Sequence, residues 1–135
     1  PNIVFMIADD LGVGDLQCYG ATKIKTPNLD RLAAGGIRAT DAHASAAVCT
    51  PSRYGILTGR DFWRVNSEWQ GQSLIEPDRA TVAKSLREAG YKTAYFGKWH
   101  LGWGNVDPAK RRTHRAEIDW NAAEVKPGVL EAGYD

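Results

Sequence analysis

The chain has 135 residues, of which 43% are apolar and 24% charged, and its 17 basic and 16 acidic side chains leave a net charge of +1. That length suits one domain of ordinary size, and that composition excludes a disordered chain. The charge balance gives no reason to expect nucleic acid or an anionic membrane surface as a partner.

The first element is the run Ile3-Val4-Phe5-Met6-Ile7, continuous, apolar and β-branched at its start. It predicts a central strand buried on both faces. The run is far short of the roughly 20 residues a membrane span needs. No basic region precedes it and no small-residue cleavage site follows it, so it is not a signal peptide. The chain opens on Pro1 rather than Met, which suggests a preceding segment removed or left out. Asp9 and Asp10 follow the run, and Gly12 and Gly14 open a loop. Thr26 and Pro27 predict a helix start, with Thr26 as N-cap, Leu29, Leu32 and Ala33 as the apolar stripe, and Gly35-Gly36 as the stop. Residues 37–42 are a weaker strand candidate. A second helix is expected from Thr50-Pro51 to Leu57, ending near Gly59. Residues 60–72 carry Trp63 and Trp69 without a clear period and read as loop. Thr81 caps a third helix, with Val82, Leu86 and Ala89 on one face and Gly90 as its stop, and residues 91–96 read as a strand. Residues 102–135 are mixed and polar, with no clear structure. Short apolar runs alternating with helices indicate α/β organisation.

Three constellations carry chemistry. Asp9 and Asp10 lie just past the carboxyl end of the first strand, where open α/β sheets bind ligands. Adjacent carboxylates invite a hard cation such as Ca²⁺ or Mg²⁺. On a regular strand they point to opposite faces, so they converge only if the chain has already turned. The alternative is a solvated acidic turn. In Cys49-Thr50-Pro51-Ser52-Arg53, Cys49 falls at a helix N-terminus, where free N–H groups and the dipole favour an anion. Arg53, four residues on, shares its face and can steady a developing charge. On these grounds alone an inert buried cysteine is the plainer reading. In Gly97-Lys98-Trp99-His100-Leu101-Gly102, Lys98 and His100 point the same way from an extended segment. A cation beside an imidazole suits an anionic substrate and proton transfer, and a surface lysine with a satisfied histidine is the alternative. His43, among alanines and serines, reads as structural. His114, in the basic run Lys110-Arg111-Arg112-Thr113-His114-Arg115, reads as part of a solvated face. Cys18 and Cys49 are the only cysteines, too few for a disulfide framework, and no Cys-x-x-Cys spacing exists for zinc.

Together these pieces resemble one family. Cys49-Thr50-Pro51-Ser52-Arg53, continuing to Leu57-Thr58-Gly59-Arg60, is similar to the sulfatase signature C-x-P-S-R followed by L-x-T-G-R. The segment from Pro1-Asn2-Ile3-Val4 to Asp9-Asp10-Leu11-Gly12 resembles that family's first strand and metal-binding pair. Thr26-Pro27-Asn28-Leu29-Asp30-Arg31-Leu32-Ala33 resembles its first helix, and Gly97-Lys98-Trp99-His100-Leu101-Gly102 its lysine–histidine motif.

The resemblance implies an arylsulfatase-type hydrolase of the alkaline phosphatase superfamily, with a mostly parallel sheet flanked by helices. It implies oxidation of Cys49 to formylglycine by a formylglycine-generating enzyme. The hydrated aldehyde is a diol. One hydroxyl attacks sulfur, and the other expels sulfate by re-forming the aldehyde. It implies Ca²⁺, with Mg²⁺ possible, held by Asp9, Asp10 and the modified Cys49. Arg53 and Lys98 would hold formylglycine oxygens and metal-side charge, Lys98 and His100 would bind substrate, and His100 would be the base for collapse. A sulfated small molecule or glycan would be the substrate, and a periplasmic or secreted location is favoured. Family members are several times longer, and their later part supplies further metal ligands, a leaving-group acid and a second sulfate-gripping lysine. The chain therefore reads as the N-terminal portion of a catalytic domain, incomplete as a sheet and inactive alone. A phosphonate monoester or phosphodiester hydrolase using the same device, and a relative with a dead site, are the alternatives.

Overall fold

The computed structural model describes residues 1–65, 73–103 and 128–135. Trp69, the basic run from Lys110 to Arg115 and His114 lie outside the described residues. The chain divides into two compact units, Pro1–His43 and Ala44–Asp135. Three helices are described: α1, Pro27–Gly35, in the first unit, and α2, Cys49–Thr58, and α3, Val82–Glu88, in the second. No helix among the described residues is long and apolar enough to cross a membrane.

In the first unit the helix start at Thr26 and Pro27 stands, but the cap works differently from the sequence expectation. The Thr26 hydroxyl accepts from no backbone N–H of the first turn of α1. It accepts from the Gln17 backbone N–H at 3.0 Å and donates to the Asp30 carboxylate at 3.1 Å. The same Asp30 oxygen accepts from the Cys18 N–H at 2.8 Å. Thr26 and Asp30 thus tie α1 to the turn Gln17–Tyr19.

Residues 3–7 and 37–42 are not strands, and no β-strand occurs among the described residues. Nor is the first run buried: Val4 is 82% and Phe5 70% exposed. A strand exists through hydrogen bonds to a neighbouring strand. The apolar character of residues 3–7 marks a surface suited to being covered; among the described residues nothing pairs with it.

The core of the second unit gathers Tyr54 and Leu57 from α2, Leu74, Ile75, Trp99, Leu101 and Ala132. Helix α2 begins one residue earlier than the sequence predicts, at Cys49, and stops at Gly59, whose φ of 65° is the left-handed C-cap that glycine takes without strain. Helix α3 is capped as expected, the Thr81 hydroxyl accepting from the Lys84 N–H at 3.1 Å. Its buried side is carried by Ala83 rather than Val82 or Ala89, which are exposed. Gly133 packs so closely on α3 that a Cβ there would meet the Lys84 nitrogen at 2.6 Å, and its φ of 106° also demands glycine.

Residues 91–96, expected as a strand, have no ladder, yet burial alternates with period two. Tyr91, Thr93 and Tyr95 face inward, while Lys92, Ala94 and Phe96 face out. Thr93 is fixed by Asp135, its N–H donating to that carboxylate at 2.7 Å and its carbonyl accepting from the Asp135 N–H at 3.0 Å. The segment has the side-chain pattern of a strand with one face covered.

Candidate active site

The N-terminus of α2 and the segment after residue 96 meet. Val48 occupies the N-cap position without a side-chain cap, so Cys49 is the first residue of the helix. Pro51 fits the first turn because its missing N–H has no helical partner there. The Cys49 thiol lies 3.1 Å from Nδ1 of His100. Beside it, the Thr50 hydroxyl donates to the His100 carbonyl at 3.1 Å. Residues 51 apart in the chain are thereby brought into hydrogen-bond contact. Lys98 and His100 are both exposed while Trp99 and Leu101 are buried, as the two-residue spacing predicts. The segment is nonetheless not a regular strand. Gly97 has φ 110° and His100 has φ 55°, so the chain turns through two left-handed residues. A non-glycine residue there stores backbone strain, a feature that clusters at functional sites.

Arg53 is 8% exposed and reaches across to the same segment. Its Nη1 donates to the Lys98 carbonyl at 2.5 Å and to the Tyr95 hydroxyl at 3.2 Å. Thr50 and Tyr95 were not singled out from the sequence. Neither belongs to a charged or metal-binding pattern, and only their contacts reveal them.

Asp9 and Asp10 lie in the first unit, at a bend. Asp10 has φ 58°, so the chain has turned at this pair, the condition under which two adjacent carboxylates can share one ion. Their oxygens are the donor type a hard cation takes, and two of them supply a minority of the six to eight positions around Ca²⁺. Within each unit, the described residues hold no group of three or more His, Cys, Asp and Glu side chains set to bind a metal.

His43 is solvent-exposed and pairs with Asp41 at 2.7 Å, so it is a surface residue rather than a structural one. Trp63 is 72% exposed. Trp103 packs its ring on Gly128, where a Cβ would come within 2.9 Å of it. Both Cys18 and Cys49 are free thiols.

The far end of α2 is held by Glu76. Its carboxylate accepts from the Tyr54 hydroxyl at 2.8 Å, Arg60 at 3.0 Å and Arg79 at 3.0 and 3.2 Å. The Arg79 hydrogen bonds draw the Glu76 carboxyl down to about 2 from its ordinary 4.5, with Tyr54 adding to the effect. A depressed carboxylate contributes stability that is complete above its unfolded value and lost as pH falls through its folded value. The melting temperature of the full-length protein should therefore fall between pH 4.5 and 2, and Glu76→Gln should flatten that dependence. At neutral pH the same substitution should cost about 1 kcal/mol, the partial exposure of the pair having weakened it. Thermal melts across that pH range, wild type against variant, check both.

With this geometry in hand, the sulfatase family model matches residues 1–125. The chain belongs to the sulfatase family. It is similar to the N-acetylgalactosamine-6-O-sulfatase of Bacteroides thetaiotaomicron, at 50% identity over 139 residues, covering 100% of this chain and 25% of that protein. Human arylsulfatase A is 51% identical over 112 residues, covering 77% of this chain and 22% of that protein. A solved structure from work on the metabolism of multiple glycosaminoglycans by Bacteroides thetaiotaomicron superposes with a TM-score of 0.82 at 44% identity, covering 100% of this chain and 27% of the other. The chain thus spans about a quarter of the length of these sulfatases, and the alkaline phosphatase-like fold is that of the structures it matches.

Proposed function

We propose that the full-length protein is a sulfuric ester hydrolase, cleaving a sulfate monoester to an alcohol and sulfate with Cys49, converted to formylglycine, as its nucleophile. The observation that carries this reading is the 3.1 Å approach of His100 Nδ1 to the Cys49 sulfur at the uncapped start of α2. The hydrated formylglycine supplies a nucleophilic hydroxyl and a second hydroxyl whose loss of a proton releases sulfate. Asp9 and Asp10 would hold Ca²⁺, or Mg²⁺, which supplies charge to polarise the sulfate.

The chain's own residues have distinct tasks. The first-turn N–H groups of α2 favour the negative charge of a sulfate or of an ionised hydroxyl at position 49. His100 lies where it can take a proton from a group on residue 49. Lys98, on the same side, draws an anionic ester toward it. Arg53, anchored to the Lys98 carbonyl, keeps its guanidinium beside α2 and steadies oxygens there. The substrate class is a sulfated small molecule or a sulfated glycan. Similarity to an N-acetylgalactosamine-6-O-sulfatase supports the glycan.

Full-length protein coexpressed with a formylglycine-generating enzyme should hydrolyse an aryl sulfate at least about tenfold faster, by kcat/KM, than the matching aryl phosphonate. A preference for the phosphonate would reverse the assignment. An unmodified Cys49 peptide in mass spectra of the native protein, with no turnover of either ester, would favour a dead site.

A further inference from the structure

We infer that Tyr95 is a positioning residue for His100, acting through the peptide carbonyl of Lys98. The inference rests on the role given above to Cys49 and His100. Gly97 and His100 both have positive φ, so the intervening Lys98 and Trp99 cannot lie in a strand ladder that would fix them. One restraint on the turn is a pair of donors on one oxygen. The Lys98 carbonyl accepts from the Tyr95 hydroxyl and from Arg53 Nη1. The Tyr95 oxygen accepts in turn from the same Arg53 nitrogen, so both roles of the phenol are in use.

The ring that carries this hydroxyl is itself held. It makes edge-on contacts with Trp99, centroids 5.4 Å apart, and with Tyr134, centroids 5.2 Å apart. On the other side of the turn, the Thr50 hydroxyl holds the His100 carbonyl. The backbone leading into His100 is therefore pinned at both ends, and Tyr95 supplies one pin without touching Cys49 or substrate. Removing the hydroxyl alone leaves the ring contacts in place and gives the left-handed His100 freedom to relax. Displacement of a reacting group by about an ångström can cost about 10²-fold in rate.

The test uses full-length Tyr95→Phe, with wild type and His100→Ala beside it. In protein made without maturation, Cys49 is still a thiol, and its alkylation by iodoacetamide at one fixed pH is followed on the Cys49 peptide by mass spectrometry. The Tyr95→Phe rate constant should move at least halfway from the wild-type value toward that of His100→Ala. In matured protein, kcat for an aryl sulfate should fall about tenfold while KM stays within about twofold. An alkylation rate equal to wild type would overturn the inference. So would equal rates in wild type and His100→Ala, since His100 would then have no hold on position 49 to be positioned. A loss confined to KM, or a kcat within twofold of wild type, would do the same. Absence of turnover in matured wild type would sink the hydrolase reading and leave the alkylation rates to decide Tyr95 alone.

Discussion

Cys49→Ala in the full-length protein is expected to lower turnover of an aryl sulfate by a factor of about 10⁴ or more. Alanine leaves α2 intact, since it is the best helix former and Cys49 is the first residue of the helix. The His100 imidazole and the first-turn N–H groups would remain, but nothing at position 49 could bond to sulfur. The proper comparison is kcat/KM at equal protein concentration, with melting temperatures recorded for both. A rate within tenfold of wild type would show that the nucleophile lies elsewhere.

The second large effect is expected at His100. A positioned base contributes about 10² to 10⁴-fold to a proton-transfer step. Its Nδ1 contacts the Cys49 sulfur, so in the proposed mechanism it would serve a step in which a group on residue 49 gives up a proton. Attack and release both take a proton from residue 49, and substrate binding does not; we propose that His100 serves the release of sulfate. His100→Ala should therefore slow release by about 10² or more, and KM for an aryl sulfate should not rise in proportion. Rapid quenching during turnover, followed by mass analysis of the peptide containing residue 49, should find covalently bound sulfate in the variant and little in wild type. A variant that releases sulfate at the wild-type rate would remove His100 from this role.

Much of this site can be read from the chain alone, for local reasons. A helix start leaves its mark in a few adjacent residues, so Pro27 and Thr81 locate α1 and α3, and α2 starts within a residue of its expected place. The alternation of Lys98 and His100 against Trp99 and Leu101 is likewise local and holds. Strands are another matter. Residues 3–7 have the composition of a buried strand, but pairing depends on residues distant in sequence, and residues 3–7 are open. At residues 91–96 the same limit is milder: Thr93 and Tyr95 turn inward, yet their hydrogen bonds go to Asp135, Gly133, Arg53 and Lys98 rather than to a neighbouring strand. Tyr95 and Glu76 escape a reading of motifs because their roles consist of contacts made across the fold. Glu76 joins Tyr54, Arg60 and Arg79, three residues that no sequence spacing groups together.

The left-handed backbone at His100 bears on how this position should be probed. Any side chain placed there inherits φ 55°, a conformation that glycine adopts freely and asparagine tolerates, whereas alanine is strained by about 1 kcal/mol or more. An alanine variant thus changes two things at once, the imidazole and the strain held in the turn. Asparagine removes the titratable ring while keeping the turn, so the difference between the two variants measures how much of His100's effect belongs to the fold of the loop. Position 100 is in this sense a hinge point for design: an engineer who wants a new base there must supply both the chemistry and a residue content to sit in a left-handed turn.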